Sequence, residues 1–422
     1  MRKRYYGLDF LRGTGVLVVI IFHSAFYHYH DLYDIDFNDP PAAVTVIGLL
    51  LMFAGLFGMI SGASHTVQSL IKVEKQGFTP ARLLKYRLAS GFFILLIAYL
   101  YFLFTGPGIV NFSERSMDRS LLIQIIQGTG ITGLSLQRIL YVDSLVMIGL
   151  NVILLGLFTN CLLRLTLRRH PLDGNISDRL EKTFFWAGIM FFIISYGRIP
   201  LYDVYIQAMD QGQWSLAIAL NWLVNKNNPV MPFFSFALLG GWIGCLVAKN
   251  DFRYMARRIV PAGLILLAIG IAAYINLPDT MLERSIDPKW YSIMTAQLGL
   301  FLLLTVLALR ILDFGPKSAL VRENAFSKFV IRFGVAGLTP FFLESVISEL
   351  LFSGLNHFMK LSFNIGAALI YGTVLALLWG VVLIVWEKRE YRFSLEYYYG
   401  KLMKRFGGSE KEFKLKGDGR WV

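Results

Sequence analysis

Apolar residues gather in ten runs along the chain, at 10–29, 42–71, 83–104, 139–163, 183–197, 229–248, 258–276, 290–312, 326–353 and 361–386. Most are near the ~20 residues that carry an α-helix through the hydrocarbon of a bilayer. In lipid a backbone has to satisfy its own hydrogen bonds, so such runs predict helices. The fifth run is the shortest and has the least distinct boundaries. Segments 118–127 and 214–224 are apolar enough to be interfacial or re-entrant pieces. Gly334, Gly337 and Pro340 fall within the ninth run and predict a helix weakened or kinked at mid-depth. The pattern describes an all-α, polytopic integral membrane protein of about ten transmembrane helices. It also divides the chain into a membrane unit, 1–386, and a tail, 387–422. In the tail, 393–406 is amphipathic and suited to the inner interface, whereas 407–422 is polar and expected to be mobile.

Composition agrees with the pattern. Of 422 residues 55% are hydrophobic and only 16% charged, and the mean hydropathy is +0.55, values outside the range of a soluble domain. The net charge of +13 suggests nucleic acid until its distribution is considered. With a cytoplasmic N-terminus, 33 of the 41 Lys and Arg fall at cytoplasmic ends, ten of them in the tail. That asymmetry follows the positive-inside rule and puts both termini in the cytoplasm and the protein in the cell membrane. No nucleic-acid partner is expected; the lipid bilayer is. The first run is too long for a cleaved signal and lacks a small-residue cleavage site. Cys161 and Cys245 lie in apolar runs and read as small core residues. No internal repeat is evident.

The polar residues inside apolar runs are the candidates for chemistry, because ionisable groups there are costly and face a protein interior or a watered cavity. Arg12 and His23 stand 11 residues apart in the first run. That spacing is about three helical turns, which places them on one face about 16 Å apart. An arginine near a helix end also snorkels easily. His23, past the midpoint, needs a partner or a cavity. Glu344 lies deep in the ninth run with no basic residue close in sequence. Asp143 and Arg138 open the fourth run, where they either pair with each other or serve the site. Ser61, Ser64 and His65 lie in the second run, beside Gly58-x-x-x-Gly62, a pattern that equally serves plain helix packing. The loop from His28 to Asp36 is rich in His, Asp and Tyr. Its spacing fits no standard zinc signature, so no metal is expected. Such a loop suits a sugar or is simply solvated.

Several of these stretches, in chain order, resemble one family. Leu8-Asp-Phe-Leu-Arg-Gly13 with the Arg12–His23 spacing is similar to the first helix of the transmembrane acyltransferase superfamily. That superfamily includes the acyltransferase-3 proteins and the heparan-α-glucosaminide N-acetyltransferase relatives. Phe57-Gly-Met-Ile-Ser-Gly-Ala-Ser64 resembles its small-residue second helix, and Leu134-Ser-Leu-Gln-Arg-Ile-Leu140 the Leu-Gln-Arg segment of the heparan branch. Gly197-Arg-Ile-Pro-Leu201 and Gly334-Val-Ala-Gly-Leu-Thr339 look like motifs that open late helices in bacterial relatives. Phe393-Ser-Leu-Glu-Tyr397 resembles the Gly-Pro-Leu-Glu-Trp ending of one bacterial group. The resemblance implies transfer of an acyl group, acetyl foremost, from cytoplasmic acyl-CoA to a hydroxyl or amine of an extracytoplasmic sugar or glycan. It also implies that the matching histidine and arginine, His23 and Arg12, are essential. The heparan branch is associated with a histidine beyond its first helix, where this chain has His28 and His30 without a clear counterpart.

The residue types fit that chemistry. An imidazole can take the proton of a hydroxyl as it attacks a thioester, and a guanidinium binds phosphate through two hydrogen bonds. The expected catalytic set is therefore His23, Glu344 and Asp143. Arg12, His65, Ser61 and Arg138 are assigned to the donor, and His28, His30 and Asp31 to the acceptor. The rival is a multi-span transporter of a small anionic or sugar-like solute, since buried charges and a proline-interrupted helix also mark substrate pathways. Such a transporter is expected to carry inverted repeats.

Overall fold

A computed structural model describes residues 4–36, 39–131, 135–169, 176–278 and 286–407. Arg2, Lys3, Leu134 and the polar end of the tail after Gly407 lie outside the described residues. The chain opens with α1 (Tyr6–Tyr27), α2 (Ala42–Leu51), α3 (Ala54–Gln76) and α4 (Pro80–Leu100), and α4 passes into a π-helical turn at Tyr101–Thr105. A small hairpin follows: β1 (Ile109–Asn111) pairs antiparallel with β2 (Ser116–Asp118), Val110 facing Met117. Next come α5 (Leu121–Ile126), α6 (Leu136–Ile139), α7 (Ser144–Arg169), α8 (Ile176–Ile194), α9 (Arg198–Asp210) and α10 (Trp214–Val224). The remainder is α11 (Val230–Ala248), α12 (Phe252–Asn276), α13 (Pro288–Leu309), α14 (Ser318–Glu323), α15 (Ala325–Val335), α16 (Leu338–Met359), α17 (Ile365–Glu387) and α18 (Leu395–Arg405).

Among the described residues nine helical stretches are long and apolar enough to cross a membrane. The protein is an all-α, multi-pass membrane protein. Three expected spans differ in detail. The second is interrupted at Met52 and Phe53, which turn between α2 and α3. The fifth is longer than its apolar core, because α8 continues through a 3-10 turn into α9 and the stretch runs Ile176–Asp210. The ninth is broken, not kinked at mid-depth: α15 stops at Val335, and α16 starts afresh at Leu338. Pro340 thereby falls in the first turn of α16, where its missing N–H is one the helix never pairs. Cys161 is exposed and only Cys245 is buried, so the core reading fails for Cys161.

Two helices organise the bundle. α11 is apolar all round and buried over 94% of its spanning window, as a helix surrounded by others must be. α3, α7, α8 and α12 pack on it. A Cβ on Gly62 would stand 2.1 Å from the Ala237 carbonyl oxygen, so this glycine of the Gly-x-x-x-Gly pattern serves backbone-to-backbone packing of α3 on α11. The other hub is α1, which packs on α13, α15, α16 and α17. Its first turn is capped from a distance: the Asp313 carboxylate accepts the amides of Tyr6 (2.9 Å) and Gly7 (2.8 Å). α15 lies against α1 so closely that a Cβ on Gly334 would stand 1.8 Å from the Asp9 carbonyl oxygen.

Both backbones at that contact are helical and neither can retreat. Gly334→Ala is therefore expected to cost about 1–3 kcal/mol, the usual scale of overpacking, read as a lower Tm in detergent. Gly354→Ala, on α16 where a Cβ meets nothing within 4 Å, should leave Tm unchanged or slightly raised. Equal behaviour of the two variants would refute the close-contact account.

Candidate functional site

His23 stands near the end of α1 remote from Arg12. Its Nδ1 lies 3.0 Å from Glu344 Oε1 on α16, and Glu344 has no exposed surface. The same oxygen accepts the hydroxyls of Ser345 (2.8 Å) and Tyr101 (3.2 Å). Tyr101, 1% exposed, opens the π-helical turn after α4. The turn adds a residue to the helical circuit, and the Gly106 amide closes it on the Tyr101 carbonyl at 2.6 Å. Three elements thus converge on one carboxyl oxygen. Glu344 Oε2 is buried without a hydrogen-bond partner.

An ionised carboxylate only accepts, and a histidine that donates to one through Nδ1 keeps its lone pair on Nε2. That is how a carboxylate orients a histidine base in general. His23 and Glu344 both line a cavity of about 250 Å³. The Ser24 hydroxyl and the Gln127 amide oxygen, also on its wall, are buried without partners like Glu344 Oε2. Buried polar atoms normally have one, so the wall has hydrogen-bonding capacity to offer an occupant.

The cavity rim holds His28 and His30. His28 stacks on Phe352 at 4.1 Å, meets Tyr371 edge-on at 5.3 Å, and lies 3.1 Å from the Ser348 hydroxyl through Nε2. The His30 amide donates to the Phe363 carbonyl at 2.9 Å, fastening the end of α1 to the loop before α17. The exposed His30 ring contacts Asp31 at 2.7 Å. Asp31 itself is not on the cavity wall. Arg119, Ser348, Glu349 and Phe352 complete the polar and aromatic lining.

Two other expected members, Asp143 and Arg138, have hydrogen bonds of their own, and the Asp143 carboxylate lies near enough to His23 and Tyr101 to interact with both electrostatically. Asp143 caps α7, its Oδ1 accepting the amides of Leu145 (2.8 Å) and Val146 (2.9 Å). It does not pair with Arg138. Arg138 is fully buried and donates to the carbonyls of Phe102 (2.7 Å), Pro107 (2.9 Å) and Asp118 (2.5 Å). Its guanidinium also faces the Asp118 carboxylate at 3.4 Å. The structure thus gives Arg138 to the loops around the hairpin, and among the described residues it shares no hydrogen-bond partner with Arg12. The physical reason is the count of donors: a guanidinium has five N–H groups, and the loop carbonyls here engage several of them.

Arg12 belongs to a cluster at the other end of α1. Its Nη1 donates to Asp9 Oδ1 (3.2 Å) and the Gly334 carbonyl (3.1 Å), and Nη2 to the Ser64 hydroxyl (3.2 Å). Asp9 also takes Arg4 Nε at 2.6 Å. On α3 the next residue, His65, meets Arg87 Nη1 at 2.6 Å through Nδ1. Arg87 also donates to the Ser69 hydroxyl. Ser61 is half-buried one turn earlier on α3. Arg12, Ser64, His65 and Arg87 are therefore brought together, and none of them lines the cavity at His23. Arg12 and Gly334 meet at one end, and His23 and Glu344 at the other. α1 and the α15–α16 pair accordingly run side by side in the same direction.

The sequence reading missed Tyr101, Ser345, Glu349, Arg119 and Arg87. Glu349, Ser345 and Arg87 carried the signal used for Glu344, a polar residue inside an apolar run. Tyr101 carried none, being one of 20 tyrosines. Among the described residues no group of three or more His, Cys, Asp or Glu is placed to hold a metal. No protein-family model matches the chain, and no curated protein matches it.

Removing the shared acceptor strands the buried Tyr101 hydroxyl and the His23 N–H. Glu344→Ala should lower stability by about 1–3 kcal/mol for each buried donor left unsatisfied. Glu344→Gln keeps the shape and one acceptor oxygen, and should unfold near the wild-type temperature. Thermal unfolding in detergent measures both, and an unchanged Tm for Glu344→Ala contradicts the assigned hydrogen bonds.

Proposed function

We propose that the protein is a membrane-bound acyltransferase of the cytoplasmic membrane. It takes an acyl group, acetyl foremost, from cytoplasmic acyl-CoA and transfers it to a hydroxyl or amine of an extracytoplasmic sugar or glycan. The observation that carries the reading is the His23–Glu344 contact on the wall of a polar cavity, with Nε2 unencumbered by that contact. In the proposed step the acceptor hydroxyl gives its proton to His23 Nε2 as its oxygen bonds to the thioester carbonyl carbon. The carbon–sulfur bond breaks, and the CoA sulfur leaves with the electron pair and takes up a proton. Glu344 holds the imidazole and stabilises the imidazolium that forms. Ser345 and Tyr101 fix Glu344. His28 on its Phe352 platform, with His30 on the rim, supplies the aromatic and polar surface that suits a sugar.

The donor is assigned to the end of the bundle around Arg12, whose partly exposed guanidinium can meet a phosphate of CoA. The pantetheine arm then has to cover the about 16 Å of α1 between Arg12 and His23. The transporter reading draws on the broken α15–α16 helix. Binding of acetyl-CoA to purified protein in detergent, and its hydrolysis or transfer, separates the two: a transporter turns over no thioester.

His23→Ala is expected to fold and to lose at least ~100-fold in acyl transfer, the scale of a lost general base. Turnover near wild type removes His23 from the mechanism. Arg12→Lys keeps a positive charge but not the planar fork. It should weaken acetyl-CoA binding, measured by calorimetry, by about 10-fold, roughly one charge-assisted hydrogen bond. Equal affinity for the two proteins assigns Arg12 to packing of α1 alone.

A further inference from the structure

The helix break between Val335 and Leu338 exposes two sets of backbone groups, and charged side chains from elsewhere in the chain hold both. On the α15 side, Arg12 donates to the Gly334 carbonyl at 3.1 Å. On the α16 side, Glu396 of α18 accepts the amides of Leu338 (2.6 Å) and Thr339 (3.1 Å) through Oε1, and the Thr339 hydroxyl (2.7 Å) through Oε2. The Leu395 amide donates back to Thr339 Oγ1 at 2.8 Å. A guanidinium at a helix C-terminus and a carboxylate at an N-terminus each oppose the partial charge that the break uncovers. α18 has a second attachment. The Tyr399 hydroxyl lies 2.7 Å from the Ser90 hydroxyl on α4, and its ring packs against Phe93 at 5.5 Å. α18 therefore joins α16 and α4, the two helices that deliver Glu344 and Tyr101 to the site at the other end of the bundle.

We propose that α18 is a clasp acting along the length of the bundle, in which Glu396 positions Glu344 against His23 by fixing the start of α16. Leu338 and Glu344 are six residues apart, about 9 Å of rigid helix, so a slide or rotation at the capped end arrives at Glu344 undiminished. Errors of about 1 Å in a reacting constellation cost on the order of 100-fold in rate. Glu396 touches no cavity residue and is a positioning residue only. Its effect on acyl transfer rests on the function proposed above, but its effect on the place of Glu344 does not.

The test follows the histidine ring signals of the full-length protein by NMR in detergent, where six histidines are present and His23 is assigned by its loss in His23→Gln. Glu396→Ala should move the His23 signal in the direction in which Glu344→Gln moves it, and leave His65 in place. Glu396→Gln retains an acceptor for the Leu338 and Thr339 amides but loses the charge at the start of α16, and should move it less, though measurably. In turnover, Glu396→Ala should lower kcat by about 10-fold or more and leave KM for acetyl-CoA within about twofold, the signature of lost positioning. An unmoved His23 signal in Glu396→Ala overturns the proposal; should that variant not fold, an unmoved signal in Glu396→Gln overturns it equally. A moved signal in a protein that transfers no acyl group upholds the clasp and refutes the acyltransferase reading instead.

Discussion

A carboxyl group with no exposed surface, inside a bundle built from apolar helices, has to be hydrogen-bonded or it destabilises everything around it. Glu344 is that group, and the architecture near the cavity answers its demand. α1 supplies His23, the π-helical turn after α4 supplies Tyr101, and α16 supplies Ser345. Each of these elements is placed by packing elsewhere. α1 is fixed by its glycine-tight contact with α15, and α16 begins where Gly337 and Pro340 permit a fresh helix. The π-turn is closed by Gly106. One acceptor oxygen is held by these donors, and the other is buried without a hydrogen-bond partner.

The broken helix gives the bundle a joint that an unbroken one lacks. A continuous helix from 325 to 359 would pair its own amides and carbonyls across residues 335–338. Instead those groups are paired with Arg12 and Glu396. The two charged residues come from the opposite extremes of the chain, so closing the joint requires α1, α15, α16 and α18 to be assembled together. Arg12, partly exposed, is anchored by the same arrangement. Asp9, Ser64 and the Gly334 carbonyl already offer it oxygen ligands within the protein.

Charge is distributed by the same logic of local satisfaction. At the end of the bundle where Arg12 lies, the buried cations Lys72 and Arg87 are held by carbonyls, hydroxyls and aromatic faces. Lys72, for example, sits 4.3 Å from the Tyr86 ring centroid. At the cavity end Arg138 and Arg198 are likewise taken up by loop carbonyls. These arginines tie irregular backbone to the helices, which matters where backbone outside a helix needs partners that lipid cannot provide.

The sequence by itself determined the class of fold and the two residues around which the cavity forms. Helices in lipid must be long and apolar, so the all-α class is written in the runs, although ten runs correspond to nine spanning stretches among the described residues. Ionisable residues are rare enough in such runs that His23 and Glu344 stand out, together with Arg12, His65, Arg87, Asp143 and Glu349. What sequence could not decide was which polar residues meet. Asp143 and Arg138 are five positions apart yet turn to different partners, because α7 needs a cap and the hairpin loops need donors. Tyr101 and Glu396 are ordinary residues in one dimension. They gain their places only when a helix gains a π-turn or loses its continuity, and those events depend on packing between segments hundreds of residues apart.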